Sequence, residues 1–415
     1  MHSNRKYIFK PCLLILLVAS LFSTDIIGQT ASKVRINGFG DMTYGSLFGN
    51  RANQTQYNLF SKYGESSYPF NVNKDFGIVG TDLVATADIS DNLIFQTEVN
   101  LQVERGETSD MELDVERAYL DYQISDAFGI QTGLFFTPVG FSNRNLYARA
   151  WLMNSSQIRE VVEESTGLVP THTIGINAYG TFVSDGGHAL NYIASIGNGR
   201  ASDPVTIFYN RNESNFMYTG LLEWQLPYGD DFRIGLSGWY ADKFGTHAAD
   251  TLGHVTTIEE DPANDSLALT LIETGFNPYI WYKGRKFNFF VEAHLTTVTE
   301  KDGNVLQNLK NKGFDQGTGQ FGITAEFSLN LKLKGKKIMP FIRYDNLEID
   351  KNHAYYGLRA GEGDITKYYV PNFNALMFGI AYDIKAFNRI KIEYIHHLDG
   401  VRMQHGLVLQ TAFGF

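Results

Sequence analysis

Apolar and polar side chains alternate strictly in segments of about ten residues along most of this chain. In 93–104 the odd positions are apolar or Thr, whereas the even positions include Glu98 and Glu104. Successive side chains of a β-strand point to opposite faces, so this alternation predicts strands with one apolar and one polar face. Residues 216–226 and 376–384 repeat the pattern.

Sixteen segments of this kind can be counted, and an even number is what a closed single-chain barrel with both termini on one side requires. They are 34–48, 77–89, 93–104, 111–124, 128–137, 172–184, 189–197, 216–226, 231–243, 269–282, 285–299, 316–332, 338–349, 374–384, 389–398 and 405–415. The sequence therefore predicts an all-β fold: a transmembrane antiparallel β-barrel of about 16 strands.

The gaps between these segments alternate between short and long. The short gaps are 90–92, 125–127, 185–188, 227–230, 283–284, 333–337 and 385–388, and each is shorter than every gap of the other series. Bacterial barrels have short periplasmic turns and longer external loops, so the alternation agrees with the predicted fold.

One segment has an irregular pattern. Val115 and Leu120 in 111–124 lie on opposite parities, although both belong to apolar runs. A bulge inserts one extra residue into a strand and reverses the parity beyond it, so we predict a bulge near Glu116 and Arg117.

The amino terminus is typical of a secretory signal peptide, with basic residues, an apolar run over 12–22 and a polar exit near Gly28. The run is too short to cross a bilayer, which takes about 20 apolar residues. We interpret 1–28 as a signal peptide and 29–415 as the barrel. The only cysteine, Cys12, would be removed with the signal peptide.

Composition narrows the functional classes further. The net charge is −10, and loss of the signal peptide makes the chain more acidic, which argues against nucleic-acid binding. No later stretch holds 18 uninterrupted apolar residues, which excludes helical membrane spans. The 23 Tyr and 30 Phe suit the aromatic girdles of a membrane barrel.

Several short motifs resemble the phosphate-selective porins O and P. They are ERAYL at 116–120, GLFFTPVG at 133–140, YIASIGNG at 192–199, FNFFVEAH at 287–294, RYD at 343–345 and FGIAY at 378–382. The resemblance implies a trimeric 16-stranded channel that uses lumen lysines and arginines to select anions. This chain is acidic and 138–171 has no lysine, so phosphate specificity is not carried over.

The third long gap, 138–171, is the candidate constriction. In 16-stranded porins the third loop folds into the lumen, and the apolar spacing in 146–164 predicts a short helix there. The charges expected at the narrowest point are Arg144, Arg149, Arg159, Glu160, Glu163 and Glu164. Charges that line a narrow channel would set its ion preference. The alternative is that they are solvated charges on a loop packed over the rim.

Further charges are predicted on the lumen face of the barrel wall. They are Glu98, Glu104, Glu112, Asp114, Arg233 and Arg343. A charge on the lipid face near the bilayer midplane would cost several kcal/mol, so these residues should point inward. For any single one of them, a general role in hydrating the channel is a simpler interpretation than a specific role in selectivity.

We therefore expect a bacterial outer-membrane porin for passive diffusion of small hydrophilic solutes or ions. The alternatives are a substrate-selective anion or phosphate channel and an adhesin or scaffold barrel with a blocked lumen. An enzyme is disfavoured because neither G-x-S-x-G nor H-E-x-x-H occurs, and we expect no cofactor and no bound metal.

The expected partners follow from the fold. They are outer-membrane lipid, lipopolysaccharide, small hydrophilic solutes, two further copies in a homotrimer, and the barrel-assembly machinery, with no nucleic acid. The last segment resembles the carboxy-terminal signal that this machinery reads, with Phe413 and Phe415 on its apolar face.

Overall fold

The structure is a computed structural model. It describes residues 33–48, 75–103, 111–146, 152–156, 162, 169–198, 216–245, 248–249, 255–256, 270–300, 319–349, 373–385, 387–398 and 405–415. The predicted signal peptide and its cleavage point lie outside these residues.

Nearly all of the described chain is strand. The barrel strands are β1 (Lys33–Phe48), β2 (Asp75–Ser90), β3 (Leu93–Val103), β4 (Met111–Ser125), β5 (Phe128–Phe136), β6 (His172–Val183), β7 (Ala189–Asn198), β8 (Phe216–Leu226), β9 (Asp231–Gly245), β10 (Thr270–Lys283), β11 (Phe287–Glu300), β12 (Gly319–Leu329, continued by Leu331–Leu333), β13 (Lys336–Ile349), β14 (Phe373–Lys385), β15 (Asn388–His397) and β16 (His405–Gly414). One short helix, α1 (Phe141–Asn145), follows β5, and Ala248–Ala249 pairs with Val255–Thr256 in a small separate ribbon.

The strands close into a single antiparallel barrel. Each pairs with its neighbours in sequence, and β1 pairs with both β2 and β16. Asn330 interrupts β12, but both of its parts pair with β13, so the barrel has 16 strands. The predicted fold class is confirmed.

The two faces of the wall differ as the alternation predicts. In β8 the apolar side chains of Tyr218, Leu222 and Trp224 are exposed on the outside, whereas Thr219 and Glu223 are buried on the inside. An outer face of this kind matches the hydrocarbon of a bilayer, and the polar inner face matches water. No helix in the described part of the chain is long and apolar enough to cross a membrane.

The bulge in β4 lies where the pattern places it. Arg117 pairs with Glu98 and Val115 with Val99, so Glu116 is the extra residue between them. The bulge restores the correct parity on both sides, because Val115 and Leu120 are both exposed on the outer face.

The last residue helps to close the barrel. The backbone N–H of Phe415 donates to the Gly38 carbonyl at 2.8 Å, and the Gly38 N–H donates to the Phe415 carbonyl at 3.0 Å. A Cβ at Gly38 would overlap the ring of Phe415, so this ring covers the glycine of β1. Phe413 on β16 pairs with Gly40 on β1.

Candidate pore constriction

The segment 137–171, called the inner loop below, connects the end of β5 at Phe136 to the start of β6 at His172. Its two ends are tied together, because the Thr137 N–H donates to the Thr171 carbonyl at 2.9 Å. The Asn143 amide donates to both of these residues' carbonyls, each at 3.0 Å. The Thr137 and Thr173 hydroxyls are 2.7 Å apart. The loop therefore has a fixed base.

The first anchor of the inner loop is the carboxylate of Glu292 on β11. It accepts the N–H of Phe141 at 2.8 Å, the N–H of Ser142 at 3.2 Å and the hydroxyl of Ser142. The first N–H groups of a helix have no partner within the helix and carry its positive end. A wall carboxylate, buried and 1% exposed, thus caps α1 from across the lumen.

Gly140 makes this approach possible. It precedes α1 with φ 70°, a conformation that favours glycine. A Cβ there would overlap the Glu292 carboxylate and the Asn277 amide oxygen. The Gly140 N–H also donates to the Ser237 hydroxyl on β9 at 2.8 Å. The loop backbone therefore touches the wall directly at this residue.

An aromatic side chain of the loop packs into the inner wall. The Phe141 ring stacks on Trp281 at 4.5 Å between ring centres and meets Tyr279 and Phe290 at 5.7 Å each. Phe141, Leu146, Met153, Leu221, Tyr279 and Phe290 form one buried apolar cluster. Burial of an aromatic side chain contributes about 1.5–3 kcal/mol, so this cluster is a major part of the attachment.

The second anchor is the carboxylate of Glu393 on β15. It accepts the Ser155 hydroxyl at 2.8 Å, the Ser156 N–H at 2.7 Å and the Ser156 hydroxyl. Lys391 on the same strand donates to the Ser155 carbonyl at 2.7 Å, and Gln410 on β16 donates to the Ser156 carbonyl at 3.1 Å. A pair of serines is thus held on both its N–H and carbonyl sides.

Asn154 and its neighbour Met153 add contacts beside this anchor. The Asn154 amide donates to Glu326 at 2.9 Å and to Ser328 at 3.2 Å, both on β12. Arg389 on β15 donates to the Met153 carbonyl at 3.0 Å. The loop therefore starts at β5, contacts β9 to β11, and then contacts β12, β15 and β16 across the barrel.

Every wall side chain in these bonds belongs to the inner face, so the described parts of the inner loop that make them, 137–146 and 152–156, lie within the lumen. A chain segment across the interior leaves a narrower path for water and solutes than the wall alone would leave. The arrangement provides a fixed obstruction with polar walls.

No group of three or more His, Cys, Asp or Glu that could hold a metal occurs within the described ranges.

Only one of the six predicted constriction charges falls on described residues. Arg144 lies in the last turn of α1, where it is half-buried. The other five predicted residues lie outside the described part of the chain: Arg149, Arg159, Glu160, Glu163 and Glu164.

The helix that the structure describes in the inner loop lies before the range in which the sequence predicts one. The structure has α1 at Phe141–Asn145, whereas the prediction was 146–164, and the described residues 152–156 are not helical. Leu146 and Met153, two apolar residues of the predicted range, pack into the cluster at the wall. The prediction of a helix is wrong for 152–156, whereas Val162 lies in a 3-10 turn and the rest of 147–164 falls outside the described residues.

The predicted wall residues that can be placed lie on the inner face. Glu98 is fully buried and accepts Arg117 Nε at 2.6 Å. Arg343 is fully buried and paired with Asp345. Arg233 is half-buried, with Asp231 at 2.8 Å and Glu223 at 3.4 Å.

Three predicted wall residues remain. Asp114 lies opposite Asn100 and is half-buried between the outward-facing Leu113 and Val115. Glu112 lies in β4 opposite Gln102 by backbone register. Glu104 falls outside the described residues.

Carboxylates dominate the deeply buried charges of the inner face. Among the described residues they are Asp41, Asp82, Glu98, Glu116, Glu223, Glu273, Glu292, Asp345 and Glu393, against Arg343 and Lys391. The deeply buried ionisable side chains of the described lumen wall are therefore mostly acidic. The His172 ring lies 2.9 Å from the carboxylate of Glu116.

The two glutamate anchors and Phe141 were not predicted as functional residues. One signal was available, because Tyr279, Trp281 and Phe290 share the parity of polar residues such as Asn277 and Glu292. Aromatic side chains on an otherwise polar face indicate that something apolar covers them.

The comparisons with known proteins bear on the fold. No family model matches the sequence, and no curated protein matches it either. OmpT of Vibrio cholerae, an outer membrane protein folded in vitro and solved in a trimer form, aligns over 93% of this chain and 100% of its own, with a TM-score of 0.53 and 10% identity. The chain shares its barrel fold.

Two further solved structures are similar. Salmonella typhi OmpF in complex with daunomycin aligns over 92% of this chain and 98% of its own, with a TM-score of 0.51 and 10% identity. Pseudomonas putida OprB at high pH aligns over 92% of this chain and 94% of its own, with a TM-score of 0.50 and 9% identity. At these identities the similarity concerns the fold.

Proposed function

We propose that this protein is a porin of the bacterial outer membrane, through which small hydrophilic solutes or ions diffuse passively. The observation that carries the proposal is the inner loop, which is fastened inside a barrel that is apolar outside and polar inside. The Glu292 and Glu393 anchors hold it from two separated parts of the wall. The proposal includes no catalytic step and no cofactor.

The constriction is formed by the inner loop between 138 and 171. Arg144, which follows the Glu292 anchor, supplies one of its charges, and Arg149, Arg159, Glu160, Glu163 and Glu164 supply the others. Glu98, Glu104, Glu112, Asp114, Arg233 and Arg343 are proposed as charges of the pore wall. A charge beside a narrow path of low dielectric acts strongly on a passing ion.

The selectivity that we propose is for cations. The buried wall charges of the described residues are mostly carboxylates, which favour positive ions near the path. The motif resemblance to phosphate-selective porins supports a relationship in architecture with that family. It does not extend to phosphate, because the lysine-rich lumen that it implies has no counterpart in 138–171.

The remaining parts of the proposal concern maturation and assembly. We propose that 1–28 is removed on export, that the terminal strand with Phe413 and Phe415 is read by the barrel-assembly machinery, and that lipid and lipopolysaccharide surround the folded barrel. A homotrimer is supported by the trimer form of OmpT with the same fold.

The test is the conductance of purified protein in a planar bilayer, with a salt gradient to measure the reversal potential. Stepwise openings in groups of three and a cation-selective potential support the proposal. A folded barrel that never conducts would contradict it and favour a blocked-lumen scaffold instead.

A triple variant tests the constriction charges. Replacement of Arg144, Arg149 and Arg159 by Ala should shift the reversal potential further toward cations while the barrel still folds. The matched control replaces Lys286, Lys334 and Lys385 by Gln, which removes three positive charges in or directly beside the short turns. An equal shift in both variants would contradict the assignment of 138–171 as the constriction.

A further inference from the structure

The short turns of the barrel fall into two groups of opposite charge. The first four, from β2–β3 to β8–β9, each carry one exposed carboxylate: Asp91, Asp126, Asp185 and Asp230. No lysine or arginine occurs in any of these turns. We call this half of the rim the acidic sector.

The next three turns, from β10–β11 to β14–β15, form the basic sector together with the strand residues directly beside them. The exposed cations of this sector are Lys283, Arg285, Lys286, Lys334, Lys336 and Lys385. None of the six makes an ion pair with a carboxylate in the described part of the chain. The nearby acid Asp383 is already bound to Arg389 at 2.7 Å. The basic sector thus presents exposed positive charges that no ion pair within the described residues neutralises.

Apolar side chains on the outer face lie directly beside these cations. Leu331, Leu333 and Phe387 are 49%, 60% and 54% exposed, and each lies within three residues of an exposed lysine of the sector. The acidic sector has a comparable outer belt, with Val183 70% and Tyr228 60% exposed. The two sectors therefore differ in charge far more than in their apolar belt.

A chemical group that matches the basic sector has a negative head and an apolar tail. Phosphate headgroups of anionic lipids attract lysines at a membrane surface, and long basic side chains reach the headgroups while their stems stay on apolar surface. A free acidic protein would match the charge but not the adjoining outer belt.

We propose that the basic sector binds the phosphate headgroups of anionic phospholipids in the leaflet next to the short turns, and that the acidic sector does not. The inference rests on the membrane location in the proposed function, but it does not depend on conductance.

The test is a count of lipids that stay bound to the full-length barrel. The barrel is placed in nanodiscs that contain phosphatidylglycerol and phosphatidylcholine in equal amounts, then released and weighed by native mass spectrometry. The variant replaces Lys286, Lys334 and Lys385 by Gln, one residue in or directly beside each turn of the basic sector. The matched control replaces Asp91, Asp126 and Asp185 by Asn, one in each of three acidic turns.

We expect the unaltered barrel to retain several-fold more phosphatidylglycerol than phosphatidylcholine. The lysine variant should retain the two lipids almost equally, whereas the aspartate variant should keep the preference. High salt should weaken the preference, because it screens exposed charges beyond a few ångströms.

Three outcomes would overturn the proposal: no preference in the unaltered barrel, a preference unchanged in the lysine variant, or equal loss in both variants. If the unaltered barrel shows no preference, the partner of the basic sector would instead be an acidic protein segment. A barrel that prefers phosphatidylglycerol but never conducts would contradict the proposed function alone.

Discussion

Glu292 and Ser142 are 150 positions apart in the sequence, yet the Glu292 carboxylate accepts both the N–H and the hydroxyl of Ser142. The same carboxylate accepts the Phe141 N–H. One wall residue on β11 thereby satisfies the first turn of α1 and holds the inner loop inside the barrel.

Replacement of Glu292 by Gln should loosen the inner loop. The amide exchanges one acceptor oxygen for an NH₂ group that faces N–H donors, and each buried donor left unsatisfied costs about 1–3 kcal/mol. Limited proteolysis of the folded barrel should cut within 138–171 faster in the variant. Asp88→Asn, which removes an inner-face carboxylate at the short-turn end that is bound to Arg35, should leave the cleavage rate unchanged.

Gly140→Ala should displace the start of the inner loop. The new Cβ would overlap Glu292 and Asn277, in addition to the strain of a residue at φ 70°. Gly335→Ala is the matched control, because Gly335 has φ 79° but no atom within 4 Å of its added Cβ. We expect faster cleavage of the loop in the first variant only, and equal cleavage in both would show that strain alone matters.

Phe141→Ala should detach the loop from its aromatic contacts. A Phe→Ala change in a packed cluster typically costs about 3–5 kcal/mol. The removal of the ring from Trp281 should alter the tryptophan fluorescence and increase the access of a soluble quencher. Phe182→Ala on the exposed outer face is the control. Unchanged quenching in the Phe141 variant would contradict the stacked arrangement.

Gly38→Ala should weaken closure of the barrel. The added Cβ would overlap the ring of Phe415, whose backbone pairs with Gly38. The temperature at which the folded band converts to the unfolded band in a gel should fall. Gly220→Ala on β8, where no atom lies within 4 Å of the added Cβ, should change that temperature much less. An equal fall in both variants would indicate a general cost of altering strand glycines.

The local pattern was sufficient to predict the wall. Alternation decides which face of a strand meets lipid, so the sixteen strands and the bulge at Glu116 could be placed from neighbours in sequence. Their predicted ends differ from the observed ones by a few residues, as for 316–332 against Gly319–Leu329 with Leu331–Leu333.

The contacts of the inner loop could not be predicted in this way. The cap of α1 is supplied by Glu292, and the serine pair is held by Glu393, more than 230 positions further along the chain. No local signal links these residues. The apolar spacing therefore predicts a helix over 146–164 but gives no indication of α1 at Phe141–Asn145.

The most direct measurement is the single-channel conductance of the double variant Glu292→Gln with Glu393→Gln, compared with the unaltered barrel and with Asp88→Asn. Loss of both anchors should let the inner loop move from the lumen, so the double variant should open to a larger conductance, while Asp88→Asn resembles the unaltered barrel. Equal conductance in all three, with the loop shown by proteolysis to be released in the double variant, would contradict the claim that this loop constricts the pore.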